Sequence, residues 1–346
     1  MLKILRLLII INLAFVSGQS IHADSIKKAG IATAHPLATK AGYEILEMGG
    51  NAFDAAVTVS AVLSVVEPYS SGLGGGGFFL LHNAEDGQSV FVDAREKAPS
   101  MADRDMYLDE NGDVLRTASL NGPLASGIPG LPAALYHVTN NHGSMPLYKL
   151  LEPAIRLARD GFPAYERLIT ALNVAKKSRT LSPKFKAVFM PNDQLPEVGQ
   201  LIKQPELAKT LEIIASNGHD GFYSSFFTQK MIDEARQDGS IWLADDFKNY
   251  SVVEREPIEV NFLGAQLTTA PPPSSGGTTI ATILNIISEF DFIQMDISTR
   301  THLVVESMRR AYRDRAFFLG DPDFVNLPYL GPKTIAPANA AAPPVE

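Results

Sequence analysis

The sequence predicts a layered protein in which helices pack on short β-strands, and one stretch provides the main evidence. Between Glu67 and Pro99, a helix ends before Pro68, a run of glycines follows, and a polar turn separates two short apolar runs. Proline and clustered glycines end regular elements, and two short apolar runs around a turn are typical of a β-hairpin. The predicted order is therefore helix, glycine loop and hairpin, with Arg95 at the end of the second strand.

Two helices are predicted before the glycine loop. The first begins at His35-Pro36, runs to Met48 and ends at two glycines, which commonly follow a helix C-terminus. Asn51 is the expected N-cap of the second, and Asp54 lies at its third position, where the positive helix end favours a carboxylate. Because residues 55–66 are apolar on nearly every face, we expect this helix to be buried on all sides and to lie against a sheet.

Helical patterns dominate the rest of the chain, with two strands between them. The predicted helices cover residues 133–140, 147–160, 206–216, 224–238, 278–290 and 299–319, and the predicted strands cover 258–262 and 266–269. Ser298 is the expected N-cap of the last helix. Glu306, Arg310 and Asp314 follow at intervals of four residues, a spacing typical of a solvated helix face with ion pairs.

Two glycine-containing segments are candidate anion sites. Gly72, Gly74 and Gly77 match the G-x-G-x-x-G pattern, but phosphate binding needs a strand before that loop and a helix N-terminus after it, and here the order is reversed. The remaining interpretation is a backbone that needs positive φ or very close approach by another segment. At 271–277, three prolines, two serines and two glycines precede a helix, and a stiff turn with capping serines is the favoured interpretation over an anion site.

Charge and composition exclude several classes of function. The chain has 30 basic and 38 acidic residues and a net charge of −8, which argues against a nucleic-acid partner because phosphate backbones are bound by a concentrated basic face. The locally basic stretch 167–186 is interpreted as a solvated surface. There is no cysteine, and the seven histidines include neither an i,i+4 pair nor an HExxH motif, so no metal site is expected.

The first 23 residues have the layout of a secretory signal peptide. Lys3 and Arg6 precede the apolar run 7–16, and the small residues that follow offer a candidate cleavage site after Gly18 or after Ala23. The run is too short to cross a bilayer, which takes about 20 residues. We therefore expect removal of residues 1–23 on export to the periplasm or the exterior, and no stable membrane span. A buried first strand and an uncleaved anchor are the alternatives.

Several motifs, in the same order along the chain, resemble the γ-glutamyltranspeptidase (glutathione hydrolase) family. They occupy residues 49–57, 65–68, 71–78, 92–99, 271–277 and 302–324. The resemblance implies an α+β fold of the N-terminal-nucleophile hydrolase class, an αββα four-layer sandwich of which this chain carries the large-subunit portion. It also suggests one compact domain at 24–330, followed by a Pro/Ala-rich tail at 331–346.

The resemblance implies γ-glutamyl transfer from glutathione without a metal or organic cofactor. In the family a precursor cuts itself, and the new N-terminal threonine of the small subunit attacks the γ-amide with its own amine as base. Water then hydrolyses the ester, or an amino acid or dipeptide accepts the γ-glutamyl group.

The family's nucleophile lies in a Thr-Thr-His-x-Ser motif that does not occur in this sequence. Thr268-Thr269 is followed by Ala270, and Thr278-Thr279 by Ile280. We therefore expect no catalytic residue in this chain, inactivity of the chain by itself, and a small subunit as its partner.

Arg95 is the candidate substrate-binding residue. The motif at 92–99 matches the one in which the family's arginine binds the substrate's α-carboxylate, and a planar, always charged guanidinium suits a carboxylate bidentately. Without the resemblance, an arginine followed by Glu96 and Lys97 would be expected on the surface by default. Two other functions stay open: a non-catalytic remnant that binds γ-glutamyl compounds or other carboxylates, and an amide hydrolase of the cephalosporin-acylase type.

Overall fold

The computed structural model describes residues 29–327, so the predicted signal peptide and tail lie outside the described residues. Contacts divide the chain into two compact units. The first holds the described residues 29–77 and 94–252, and the second holds 78–93 and 253–327. The sequence predicted one domain at 24–330, and these bounds stay a prediction. Among the described residues, no helix combines the length and apolarity that a membrane crossing needs.

The described residues form helices and short, paired strands, so the predicted mixture of helix and sheet is confirmed. The helices are α1 (Pro36–Glu47), α2 (Ala52–Val66), α3 (Leu131–His142), α4 (Leu147–Asp160), α5 (Glu166–Ser178), α6 (Pro183–Phe189), α7 (Pro205–Asn217), α8 (His219–Tyr223), α9 (Phe226–Gln237), α10 (Ala244–Lys248), α11 (Ser275–Ser288) and α12 (Ile297–Phe318). The strands are β1 (Gly77–His82), β2 (Ser89–Ala94), β3 (Phe162–Pro163), β4 (Leu201–Ile202), β5 (Val253–Arg255), β6 (Ile258–Phe262) and β7 (Ala265–Thr269).

Helix α2 is a central element of the first unit. The predicted cap is present, because the Asn51 side chain accepts a hydrogen bond from the Asp54 amide while the Asp54 carboxylate accepts one from the Asn51 amide. The helix packs against α1, α3 and α4, whereas a sheet was predicted as its neighbour. Thr58 is fully buried and donates to the carbonyl of Leu150 in α4 at 2.8 Å. The short side chains of α2 allow such close contact between helices.

The second unit contains a sheet, a hairpin and two helices. Strands β1, β2 and β5 form a sheet in that order, with β2 antiparallel to β5, and β6 and β7 form a separate antiparallel pair. Helix α11 packs against β6 and α12. Asp296 caps α12, whereas Ser298 was predicted, because the Asp296 carboxylate accepts from the amides of Ser298 and Thr299 at 2.9 and 3.1 Å.

Candidate substrate-binding site

Arg95 directly follows β2, as predicted, and its side chain is exposed. It lines an open depression of about 460 Å³ within the first unit, a volume in the range of small-molecule sites. The other lining residues come from the glycine loop and from two segments after β2: Gly74, Glu96, Lys97, Ala98, Ala125, Ser126 and Gly127. The end of β2 therefore presents Arg95 to a concave surface.

The glycine loop packs against the main chain that carries Arg95. A Cβ atom at Gly76 would collide with the Ala94 carbonyl oxygen and lie 2.8 Å from the Glu96 amide nitrogen, and neither backbone atom can move aside cheaply. Positive φ occurs at none of the glycines at 72 and 74–77. Of the two predicted reasons for the glycines, close approach is confirmed at Gly76, whereas a Cβ at Gly72, Gly74 or Gly77 would meet open space, and positive φ is wrong. Strand β1 follows the loop, which agrees with the exclusion of a phosphate-binding loop.

Gly130 approaches the same backbone from another segment. A Cβ atom there would collide with the Ala94 carbonyl and the Tyr250 hydroxyl. The amides of Gly130 and Leu131 both donate to the Gly75 carbonyl, at 2.9 and 3.0 Å. The glycine loop, the end of β2 and the start of α3 are thereby held together. Sequence reasoning missed this role of Gly130, although the Gly/Pro-rich segment at 121–130 was a signal that the backbone there is unusual.

An aromatic stack holds the main chain at Arg95. The Tyr250 hydroxyl donates to the Arg95 carbonyl at 2.9 Å, and the Tyr250 ring stacks on Tyr223 with centroids 5.4 Å apart. Tyr223 in turn stacks on His219 at 4.4 Å and donates to the Pro129 carbonyl at 2.7 Å. Burial raises the pKa of Tyr223, which keeps its hydroxyl protonated as a donor. No motif marks these aromatic residues, and sequence reasoning missed them.

Lys97 is a second cation on the depression. Its amide donates to the Ile128 carbonyl at 3.2 Å, and the Ile128 amide donates to the Lys97 carbonyl at 2.7 Å. The Lys97 ammonium lies 5.3 Å from the centroid of the Tyr250 ring, within the range of a cation–π interaction. Tyr250 thus contacts both Arg95, through its hydroxyl, and Lys97, through its ring.

A buried glutamate holds the start of the glycine loop. Glu67, which is 1% exposed, accepts hydrogen bonds at its main-chain carbonyl from the amides of Ser70 and Ser71, at 2.9 and 2.8 Å. The Tyr165 hydroxyl lies 2.9 Å from its carboxylate and 2.7 Å from the Val66 carbonyl. Burial raises the pKa of Tyr165, with a further contribution from its hydrogen bonds to Tyr69 and Glu67. The Glu-Pro motif before the loop therefore has a structural role.

The two Thr-Thr pairs, Thr268-Thr269 and Thr278-Thr279, lie in regular secondary structure. Thr268 and Thr269 end β7, and Thr279, only 8% exposed, donates to the Ser275 carbonyl within α11 at 2.7 Å. Ser274 is the N-cap residue of α11, but its side chain makes no capping hydrogen bond, so the predicted capping by serine is wrong there. The stiff turn is instead packed through Gly277, where a Cβ would collide with the Ala270 carbonyl.

The γ-glutamyltranspeptidase family model matches residues 38–342. The chain belongs to this family. The glutathione hydrolase proenzyme of Bacillus subtilis (strain 168) is 38% identical over 313 residues, which are 89% of this chain and 53% of that protein. This γ-glutamyltranspeptidase-family chain thus spans about half the length of the curated relatives it matches.

Solved structures of the family have the same fold. The γ-glutamyltranspeptidase of Helicobacter pylori superposes with a TM-score of 0.84 at 36% identity, covering 87% of each chain. The enzyme from Pseudomonas nitroreducens complexed with L-DON has a TM-score of 0.81 at 36% identity, covering 87% of this chain and 89% of that one. The predicted N-terminal-nucleophile hydrolase fold class is confirmed.

A cephalosporin acylase also matches. The enzyme from Bacillus halodurans has a TM-score of 0.75 at 27% identity, covering 86% of this chain and 56% of that one. The alternative function considered from the sequence therefore has a structural relative.

Proposed function

We propose that this chain is the large-subunit portion of a γ-glutamyltransferase that hydrolyses glutathione and transfers its γ-glutamyl group, and that Arg95 binds the α-carboxylate of the substrate. The observation that carries the proposal is the position of Arg95 at the end of β2, exposed to an open depression of about 460 Å³ and within the family motif at 92–99. A guanidinium binds a carboxylate through two parallel, charge-assisted hydrogen bonds. Arg95 would thereby anchor one end of the γ-glutamyl group.

The nucleophile is proposed to come from a small subunit within the part of the relatives' length that this chain does not cover. Its N-terminal threonine hydroxyl attacks the γ-amide carbon, an ester bond forms, and the C–N bond breaks. The hydroxyl proton passes through the threonine's own α-amine to the leaving amine. Water resolves the ester in hydrolysis, and an amino acid or dipeptide resolves it in transpeptidation. Arg95 acts by placing the amide against the nucleophile.

The proposal is tested by co-expressing this chain with a small subunit that contains the Thr-Thr-His-x-Ser motif, taken from a neighbouring reading frame or from the B. subtilis relative. The activity of the two-subunit complex is measured with γ-glutamyl-p-nitroanilide as donor and glycylglycine as acceptor. Arg95→Lys keeps the charge and loses the planar fork, so kcat/KM should fall about 10- to 100-fold, the equivalent of a charge-assisted hydrogen bond of roughly 1.5–3 kcal/mol. Arg104→Lys, at an exposed arginine of the same unit, should retain wild-type kinetics. An unchanged kcat/KM for Arg95→Lys would exclude carboxylate binding by Arg95.

The chain without the small subunit is expected neither to cut itself nor to release p-nitroaniline. Losing a nucleophile typically costs many orders of magnitude in rate. Turnover by the isolated chain that disappears in Arg95→Ala, or a specific cut before Thr269 or Thr279, would contradict this expectation. Binding of a γ-glutamyl compound without turnover in the two-subunit complex would favour the non-catalytic binding protein.

A second candidate activity is amide hydrolysis of a cephalosporin side chain, favoured by the similarity to the B. halodurans acylase. The same two-subunit complex separates the two activities when kcat/KM is measured for glutathione and for a cephalosporin with an acyl side chain. Preference for the cephalosporin would replace the proposed donor.

The predicted export and domain bounds belong to the same proposal. Residues 1–23 have a signal-peptide layout, so the protein is proposed to function in the periplasm or outside the cell as the domain 24–330. Mass spectrometry of periplasmic protein should show removal of about 23 residues, as that layout predicts. Intact Met1 in that fraction would contradict export.

A further inference from the structure

We infer that Lys97 binds a second substrate carboxylate, the C-terminal one of the amino acid or short peptide that is attached to the γ-glutamyl group. The inference rests on the proposed function. It assigns to the depression a substrate class, the γ-glutamyl amino acids, in preference to γ-glutamyl amines that lack the second carboxylate.

The position of Lys97 is set by its surroundings. Its main chain exchanges two hydrogen bonds with Ile128, and its ammonium lies 5.3 Å from the centroid of the Tyr250 ring. The same tyrosine donates to the carbonyl of Arg95. One aromatic side chain therefore contacts both cationic residues and holds them in a defined relation to one another. A ring neighbour orients the ammonium and leaves its hydrogen-bond donors available to an anion.

The spacing of the two cations suits one small molecule. Arg95 and Lys97 are two residues apart, so their Cα atoms are about 7 Å apart at most in an extended chain. In a γ-glutamyl amino acid seven bonds separate the two carboxylate carbons. An extended chain advances about 3.6 Å over three bonds, so seven bonds span about 8 Å. Two cationic side chains that start from Cα atoms this close together can reach two carboxylates about 8 Å apart.

The charge of the depression complements a γ-glutamyl amino acid, which carries two carboxylates and one ammonium group. Its lining includes two cations, Arg95 and Lys97, and one carboxylate, Glu96, with the Ser126 hydroxyl as a further hydrogen-bond donor. The Arg95 guanidinium suits bidentate binding, whereas the Lys97 ammonium is a compact charge that tolerates different approach angles. The first property fits the invariant α-carboxylate of the donor, and the second fits a carboxylate whose position varies with the attached amino acid.

The test compares two donors that differ only in the second carboxylate, γ-glutamylglycine and γ-glutamylglycinamide, in the two-subunit complex. Lys97→Met keeps the length of the side chain and removes its charge. We expect kcat/KM for γ-glutamylglycine to fall about 3- to 10-fold, which is the range of a partly exposed ion pair or charged hydrogen bond. Kinetics with the amide should stay within about twofold, since the amide has no charge to lose there. Lys97→Arg should retain the preference, and Lys149→Met, at an exposed lysine of α4, should match the wild type with both donors.

Equal losses with both donors, or no loss with γ-glutamylglycine, would overturn the inference. Added salt should reduce the difference between the donors, because screening weakens exposed charge pairs. If the complex transfers no γ-glutamyl group at all, the proposed function fails, and calorimetric titration of the same complex with the two compounds then decides the inference. Tighter binding of γ-glutamylglycine that Lys97→Met abolishes would support it, and equal binding of both compounds would overturn it.

Discussion

The hydroxyl of Tyr250 donates a 2.9 Å hydrogen bond to the main-chain carbonyl of Arg95, across a sequence separation of 155 residues. Gly76 and Gly130 pack against the same stretch of backbone from two further segments. The candidate substrate-binding arginine therefore extends from a main chain that three distant parts of the first unit hold in place. Such support matters because a guanidinium binds a carboxylate through two parallel hydrogen bonds, which require accurate placement of its planar N–H groups.

Tyr250→Phe removes the hydrogen bond to Arg95 and keeps the aromatic stack with Tyr223. We expect the free energy of unfolding to fall by roughly 0.5–1.5 kcal/mol, the usual net value of one hydrogen bond. Urea denaturation measures this change, and Tyr148→Phe, at a tyrosine that is 58% exposed, is the matched control. Equal destabilisation in the two variants would mean that the hydroxyl of Tyr250 does not support the Arg95 backbone.

Gly76→Ala places a methyl group against the Ala94 carbonyl, the Glu96 amide nitrogen and the Arg95 carbonyl carbon. Overpacking of this kind typically costs about 1–3 kcal/mol, so the midpoint of thermal or urea unfolding should shift accordingly. Gly72→Ala, in the same loop, has open space around the added Cβ and should have almost no effect. If both variants unfold at the same midpoint, close approach is not the reason for the glycine at 76.

Asp54 joins helix α2 to the segment after α3. It is fully buried and accepts hydrogen bonds from the amides of Asn51, Ser144 and Met145 and from the Ser144 hydroxyl, the last at 2.6 Å. Asp54→Asn replaces one acceptor oxygen by a donor that faces other donors. The loss should be at least about 1.5–3 kcal/mol, the value of a hydrogen bond to a charged group.

Chemical denaturation of Asp54→Asn measures that loss. Asp160→Asn is the control, because Asp160 is exposed and forms a surface ion pair with Arg159. Wild-type stability in Asp54→Asn would show that the carboxylate is not needed for the junction.

His35 makes the stability of the first unit dependent on pH. Its ring nitrogen Nδ1 accepts the amide hydrogen of Leu37 at 3.1 Å and caps α1, and burial lowers the pKa of His35, partly opposed by the negative charge of Glu67. The folded state therefore favours the neutral ring, and the unfolded chain binds more protons. This contribution is fully present above the unfolded pKa of about 6.5 and is lost as the pH falls through the lower folded pKa.

His35→Asn provides a capping side chain that does not titrate. Between pH 7 and about pH 5, a window that spans the ordinary histidine pKa of about 6.5, its free energy of unfolding should fall less steeply than that of the wild type. His82→Asn, at an exposed histidine at the end of β1, should keep the wild-type dependence of the free energy of unfolding on pH. Identical slopes for His35→Asn and the wild type would remove His35 as the source of the acid sensitivity.

Local features of this chain were predictable from the sequence. The order of helix, glycine loop and hairpin, the Asn51–Asp54 cap, the helix at 147–160 and the position of Arg95 all agree with the structure. Caps, turns and strand ends depend on hydrogen bonds and steric limits within a few residues, which the sequence displays directly. The sequence was less informative about which of two neighbouring residues caps a helix, since Asp296 caps α12 where Ser298 was expected.

Only the tertiary structure decided which distant segments meet. The sequence indicated that α2 is buried, but its neighbours proved to be three helices, because an apolar surface specifies burial and not the partner. Likewise the glycines indicated close approach, while the identity of the approaching backbone, at Ala94 to Glu96, followed from the path of the chain. Tyr250 and Gly130 support Arg95 through contacts that no periodicity or motif encodes. Family membership and the carboxylate-binding candidate could therefore be inferred from the sequence, whereas the side chains that hold this candidate in place required the fold.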